Sequence, residues 1–118
     1  MNTRIAALCI SVTAVAWGAT AVADEVTRER AEELMTWCQK ERAQKIAPLK
    51  DEAIERCVER QGLDRSSCER RNENYGERRP GPNGMLPGMF WDSELCTKAV
   101  DAERYFRKNP RAQSYTPS

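Results

Sequence analysis

The side chains in this chain best equipped for chemistry are its five cysteines, Cys9, Cys38, Cys57, Cys68 and Cys96. A cysteine can act as nucleophile, redox couple, metal ligand or covalent staple, and spacing separates these roles. The last four cysteines are separated by 18, 10 and 27 intervening residues. A zinc site of four thiolates wants Cys-x-x-Cys knuckles, and a thiol-redox centre wants a Cys-x-x-Cys pair at a helix start. Neither motif is present. There is also no histidine among the 118 residues. Its absence removes Ser-His-Asp and Cys-His nucleophile systems, a histidine general base and every mixed zinc site that needs an imidazole. No metal ion and no cofactor are expected. The remaining reading is two disulfides among Cys38, Cys57, Cys68 and Cys96, with a thiol-redox or metal-handling protein as the alternative.

Three further groups of residues are candidates for function. Adjacent acids such as Glu32-Glu33 and Asp51-Glu52 could be imagined as general acid and base. Neighbouring helical positions do not face each other, and nothing places these acids in an apolar pocket, so catalysis is not expected. Arg65, Arg70, Arg71, Arg78 and Arg79 could recognise an anion, but Asp64, Glu69, Glu73 and Glu77 are interleaved with them. A solvated face of ion pairs is the favoured reading. Finally, Met85, Leu86, Met89, Phe90 and Trp91 cluster within residues 76–91, a segment rich in Gly and Pro. Exposed, they would make a Met- and aromatic-rich contact surface for another protein. Folded back, they would supply core, which the composition favours because so few apolar residues are available.

These residues belong to one small domain. Met1 to Arg4 is a short basic n-region, an apolar run follows to Thr20, and Ala21-Val22-Ala23 is a small-x-small cleavage signature. Residues 1–23 are therefore read as a cleaved signal peptide for a periplasmic or secreted protein. Cys9 lies early in the apolar run and is not expected to be lipidated. The 95 residues that follow contain 31 apolar ones, of which Leu, Ile, Val and Phe are only 12. They carry 18 basic and 18 acidic groups. Zero net charge argues against a nucleic-acid partner, and no later segment is apolar enough to span a membrane. A thin core in an exported chain needs covalent help, which four cysteines can give.

The pattern predicts an all-α domain over 24–110, with about four short helices, one long Gly/Pro-rich loop and a flexible tail over 111–118. An amphipathic helix is predicted over 25–46, with Ala31, Leu34, Met35, Cys38 and Ile46 on its apolar stripe. Pro48 suits a first helical turn, so a second helix is placed from near Ala47 to Gln61, before the capping Gly62. One long helix kinked at Pro48 is the alternative. Asp64 or Ser66 caps a third helix to about Tyr75, with Glu69 at capping-box spacing from Ser66. Asp92 or Ser93 caps the last helix, over 94–108, which Asn109-Pro110 stops. Leu95, Cys96, Ala99, Val100, Glu103 and Phe106 mark its inner face, with Glu103 the exception.

Four cysteines allow three pairings. The turn at Gly62 brings Cys57 and Cys68 level across a helical hairpin, leaving Cys38 to join Cys96; this nested pattern ranks first. The sequential rival joins Cys38 to Cys57 and Cys68 to Cys96, and requires a hairpin at Pro48. Within a continuous helix the 19-residue step from Cys38 to Cys57 would put them roughly 28 Å apart.

Ile54, Cys57-Val58, Asp64-Arg65, Cys68-Glu69-Arg70, Tyr75-Gly76, Phe90, Asp92, Leu95 and Cys96 together resemble an uncharacterised group of small exported bacterial proteins with four cysteines. The resemblance covers residues 50–100. Members of the group carry a proline just before the last cysteine, where this chain has Glu94-Leu95. The resemblance implies a Gram-negative periplasmic setting and four helices or fewer, and it implies no activity. The expected role is a non-enzymatic structural or protein-interaction module.

Overall fold

A computed structural model of the chain describes residues 24–118, so the signal-peptide reading of 1–23 lies outside the described residues. The chain enters through a two-residue strand, β1 (Val26–Thr27), and passes at once into α1 (Arg28–Gln61). Thr27 caps this helix by accepting the Arg30 N–H on its hydroxyl. Gly62 ends it with φ of 63°, a left-handed conformation that costs a Cβ-bearing residue more than glycine.

Pro48 lies inside α1, so the separate first and second helices predicted from the sequence are one element. Proline removes the hydrogen bond to the carbonyl four residues back, here that of Gln44. Both Pro48 and Gln44 are exposed, so water can take over at that carbonyl. Among the described residues the helices number three rather than about four.

At 34 residues α1 is about 50 Å long, and it serves as a spine. The short helix α2 (Arg65–Arg71) folds back against its C-terminal end, through Ile54, Cys57 and Cys68 with Val58 and Leu63 around them. Asp64 caps α2, accepting the Ser67 N–H and the hydroxyls of Ser66 and Ser67. These three donors hold its carboxyl at about 2, below the usual range. The capping box expected between Ser66 and Glu69 does not form, since Ser66 turns to Asp64 and Glu69 to Arg65. The helix also stops short of Tyr75, at Asn72, whose N–H and side-chain amide both donate to carbonyls of its last turn.

The helix α3 (Glu94–Lys108) lies along the N-terminal half of the spine. Ser93 caps it through the Cys96 N–H. Its buried face is Cys96, Ala99, Ala102 and Phe106, while Glu103 stays exposed. Leu34, Cys38, Cys96 and Ala99 form one packed cluster, and Ala31, Ala102 and Phe106 another. Small residues at the crossing let the helices approach to a Cα separation of 4.8 Å between Cys38 and Cys96, which are bridged. The second bridge joins Cys57 to Cys68 with Cα atoms 5.8 Å apart. This is the nested pairing, and a continuous α1 leaves the sequential rival no geometry.

Among the described residues two short antiparallel ladders accompany the helices, so the fold is mainly helical with a minor β component. The hairpin of β2 (Arg79–Gly81) and β3 (Gly84–Leu86) lies inside the predicted loop. The strand β4 (Ser114–Tyr115) pairs with β1, Val26 opposite Tyr115 and Thr27 opposite Ser114. The flexible tail expected over 111–118 is thus docked at 114–115. Arg28 explains why: it donates to the carbonyls of Asn109, Pro110 and Ala112 and lies over the Phe106 ring, while Tyr115 packs on Tyr105 with ring centroids 4.8 Å apart.

Candidate interaction loop

Between α2 and α3 the chain must cross the middle of the spine, where neither helix covers it. Gly76 makes the crossing, buried and with φ of 85°. A Cβ there would stand 2.7 Å from the Ile46 side chain, so only glycine allows the chain to lie this close to α1. Thirteen residues later the chain returns, and the Met89 N–H donates to the Gly76 carbonyl at 2.8 Å. Residues 76–89 therefore form a loop whose ends meet, the Ω type.

Arg42 locks this neck. It projects from α1 and is 1% exposed. Its Nε donates to the Met89 carbonyl at 2.8 Å, one terminal nitrogen to Gln39 Oε1 at 2.7 Å, and the other to the Gly76 carbonyl at 3.3 Å and the Glu77 carboxylate at 3.4 Å. Its planar head stacks 4.0 Å from the Trp91 ring centroid. A buried guanidinium is costly unless its donors are paired. Among the described residues, no buried side-chain nitrogen or oxygen lacks a partner. Gly88 completes the lock, since a Cβ there would come within 2.7 Å of Trp91 and 3.0 Å of Arg42.

The tip is held as firmly. Gly81-Pro82-Asn83-Gly84 is a tight turn with proline in its favoured second position and a positive φ at Gly84. Pro80 lies opposite Met85 and has no N–H, so that pair is the non-hydrogen-bonded kind and the Met85 peptide faces the free edge of β3. Adding a strand there is blocked, because β3 is three residues long and Pro87 follows it without a donor. The hairpin thus offers side chains rather than backbone. Met85, Leu86 and Met89 are 51%, 40% and 37% exposed. Below them, between the loop and α1 and α3, runs an open cleft of about 930 Å³ whose walls include Met35, Met85, Trp91, Val100, Arg78 and Arg104.

The five apolar loop residues therefore divide. Trp91 turns inward under Arg42 and against the Leu34 cluster, and Phe90 is half-buried with its ring 5.9 Å from Lys45 Nζ. Phe90 also carries φ of 60°, unusual for a residue with a side chain, where the chain leaves the neck for the α3 cap. Met85, Leu86 and Met89 do not join the core. Sequence reasoning passed over Arg42, though a signal existed: it stands four residues from Cys38 and four from Ile46, in register with the apolar stripe.

The arginines expected to form an ion-pair face divide too. Arg65 pairs with Glu55 at 2.5 Å and Glu69 at 3.3 Å, whereas Arg70 donates to Ser67 and Arg71 to Gln61, with no ion pair for either among the described residues. Glu77 goes to Arg42 instead. Of the imagined acid pairs, Glu33 is bound to Arg30 and Glu52 to Arg56, all exposed. Displaced carboxyls elsewhere are also on the surface: Lys45 and Ser93 hold Glu41 below the usual range.

The class this fold and site define is a disulfide-pinned helical protein presenting a latched loop with exposed apolar side chains on one strand of its hairpin and at its neck. Comparison of the chain with protein-family models, curated proteins and solved structures finds no match.

Proposed function

We propose that the protein is a non-enzymatic, periplasmic or secreted module that binds another protein through Met85, Leu86 and Met89. The observation that carries this reading is the combination of three exposed apolar side chains with a neck fixed by a buried arginine. Exposed apolar groups cost free energy in water, and a loop held in one shape gives up little entropy on binding. Export is supported by the Ala21-Val22-Ala23 signature and by both cysteine pairs being joined in bridges. Among the described residues, no helix is long and apolar enough to cross a membrane.

The test is a photo-crosslinking side chain placed at position 86 and, as control, at the exposed position 108 in cells that make the protein. A discrete crosslinked protein at 86 alone is the expected result, lost when Met85 and Met89 are changed to Ser. Equal products at both positions, or none at 86, contradict the reading.

A further inference from the structure

The far end of the molecule holds a second feature, unrelated to the hairpin. A cleft of about 360 Å³ opens between the last turns of α1 and the end of α2, within the size range of small-ligand sites. It is lined by Ala53, Arg56, Cys57, Arg60, Gln61, Arg71 and Asn72 and by no carboxylate. Arg56 and Arg60 are one helical turn apart on one face of α1, and Arg71 reaches the cleft from α2. Among the described residues, neither Arg60 nor Arg71 has a carboxylate within 4.0 Å, and the partner of Arg56, Glu52, is 3.7 Å away and well exposed. Arg71 is steadied by donating to Gln61 Oε1 at 2.8 Å. In a described chain with equal numbers of acids and bases, positive charge is left unspent here.

We propose that this cleft binds a phosphate group. Three arginines line one space, and an anion held between their guanidinium heads turns like-charge repulsion into attraction. A carboxylate offers two oxygens and one charge, which a single arginine fork can satisfy. A terminal phosphate offers three oxygens and up to two charges, matching a set of three forks. The site is built in advance, since Cys57 in its wall is bridged to Cys68 and fixes α2 on α1. Ala53 leaves the floor open.

The same chemistry occurs in soluble phosphates and in lipid headgroups, so the test has two arms. In the first, the oxidised, isotope-labelled chain is titrated with inorganic pyrophosphate, with glutarate as the carboxylate control, and the arginine Nε–H signals are followed. In the second, co-sedimentation is measured with vesicles of phosphatidylcholine containing phosphatidic acid, whose headgroup is a terminal phosphate, and with vesicles containing phosphatidylglycerol, a singly charged phosphodiester, as the charge control. Saturable shifts of Arg56, Arg60 and Arg71 with pyrophosphate, or binding to phosphatidic acid vesicles in preference to phosphatidylglycerol vesicles, are expected. Arg60→Gln and Arg71→Gln should each weaken that binding about tenfold, the loss of one charge-assisted contact, while Arg78→Gln leaves it unchanged. Arg60 and Arg71 lie on the surface, and thermal unfolding of each variant at the wild-type temperature verifies the fold. No saturation with either probe, an equal response to glutarate, or binding unaltered in both cleft variants overturns the proposal.

Discussion

Arg42 illustrates why a charged residue can be the most informative one in a thin core. Its donors meet two loop carbonyls, that of Met89 and that of Gly76, the second already accepting the Met89 N–H, so one side chain ties both ends of the loop to α1. Arg42→Met keeps much of the volume and removes every donor. It should cost roughly 2–4 kcal/mol of stability in urea unfolding of the oxidised chain. Arg42→Lys should not rescue it, because an ammonium cannot span the same fork. The apolar stripe around Arg42 was legible from Leu34, Cys38 and Ile46. The arginine itself was not, because its partners Gly76, Glu77 and Met89 lie 34 to 47 residues away and no local pattern encodes them. Asp64 carries a separate, local consequence. Its carboxyl is held at about 2 by Ser66 and Ser67, below the ordinary 3.8. The capping contribution is therefore whole above about pH 5 and is lost as pH falls through 4 toward 2. Protection of the Ser67 amide, its exchange rate taken relative to the intrinsic rate at each pH, should fall over that window, and Asp64→Asn, which still caps, should abolish this pH dependence.

Among the elements, the spine depends least on local propensity. Pro48 costs α1 a hydrogen bond, and the helix survives because partners hold it on both sides of that position. Pro48→Ala should raise stability by roughly 1–3 kcal/mol, read as a higher unfolding midpoint with unchanged helix content. A loss of stability would mean that the proline shapes a turn. The last helix was fully legible, since Ser93 before it and Asn109-Pro110 after it are strong stop and start signals and the stripe between them has helical period. The ladders were not. The pairing of β1 with β4 joins residues 87 and 89 positions apart, and Pro80 disguises β2 as loop. The turn Gly81-Pro82-Asn83-Gly84 was the one trace of the hairpin in the sequence.

Among the described residues the molecule is a spine with α3 packed on its N-terminal half and α2 on its C-terminal end, each held by its own bridge. The two bridges should therefore fail differently. Cys38–Cys96 spans 58 residues and Cys57–Cys68 spans 11, and loop entropy alone assigns them roughly 4 and roughly 3 kcal/mol. The double change Cys57→Ala/Cys68→Ala should loosen α2 and leave exchange in α3 slow. Cys38→Ala/Cys96→Ala should lower the unfolding midpoint of the whole domain. The cysteine count and the Gly62 turn made this plan readable in outline, whereas the division of the apolar loop between core and surface depends on tertiary packing that no spacing rule contains.

The latched hairpin is the feature on which the functional reading stands, and the Met89 N–H, bonded to the Gly76 carbonyl, reports directly on it. Residue-resolved hydrogen exchange of the oxidised chain is the decisive measurement. Slow exchange at Met89 in the wild type is expected, becoming fast in Arg42→Met while the α3 amides near Ala99 and Ala102 stay slow. Fast exchange at Met89 in the wild type would contradict a loop held by Arg42.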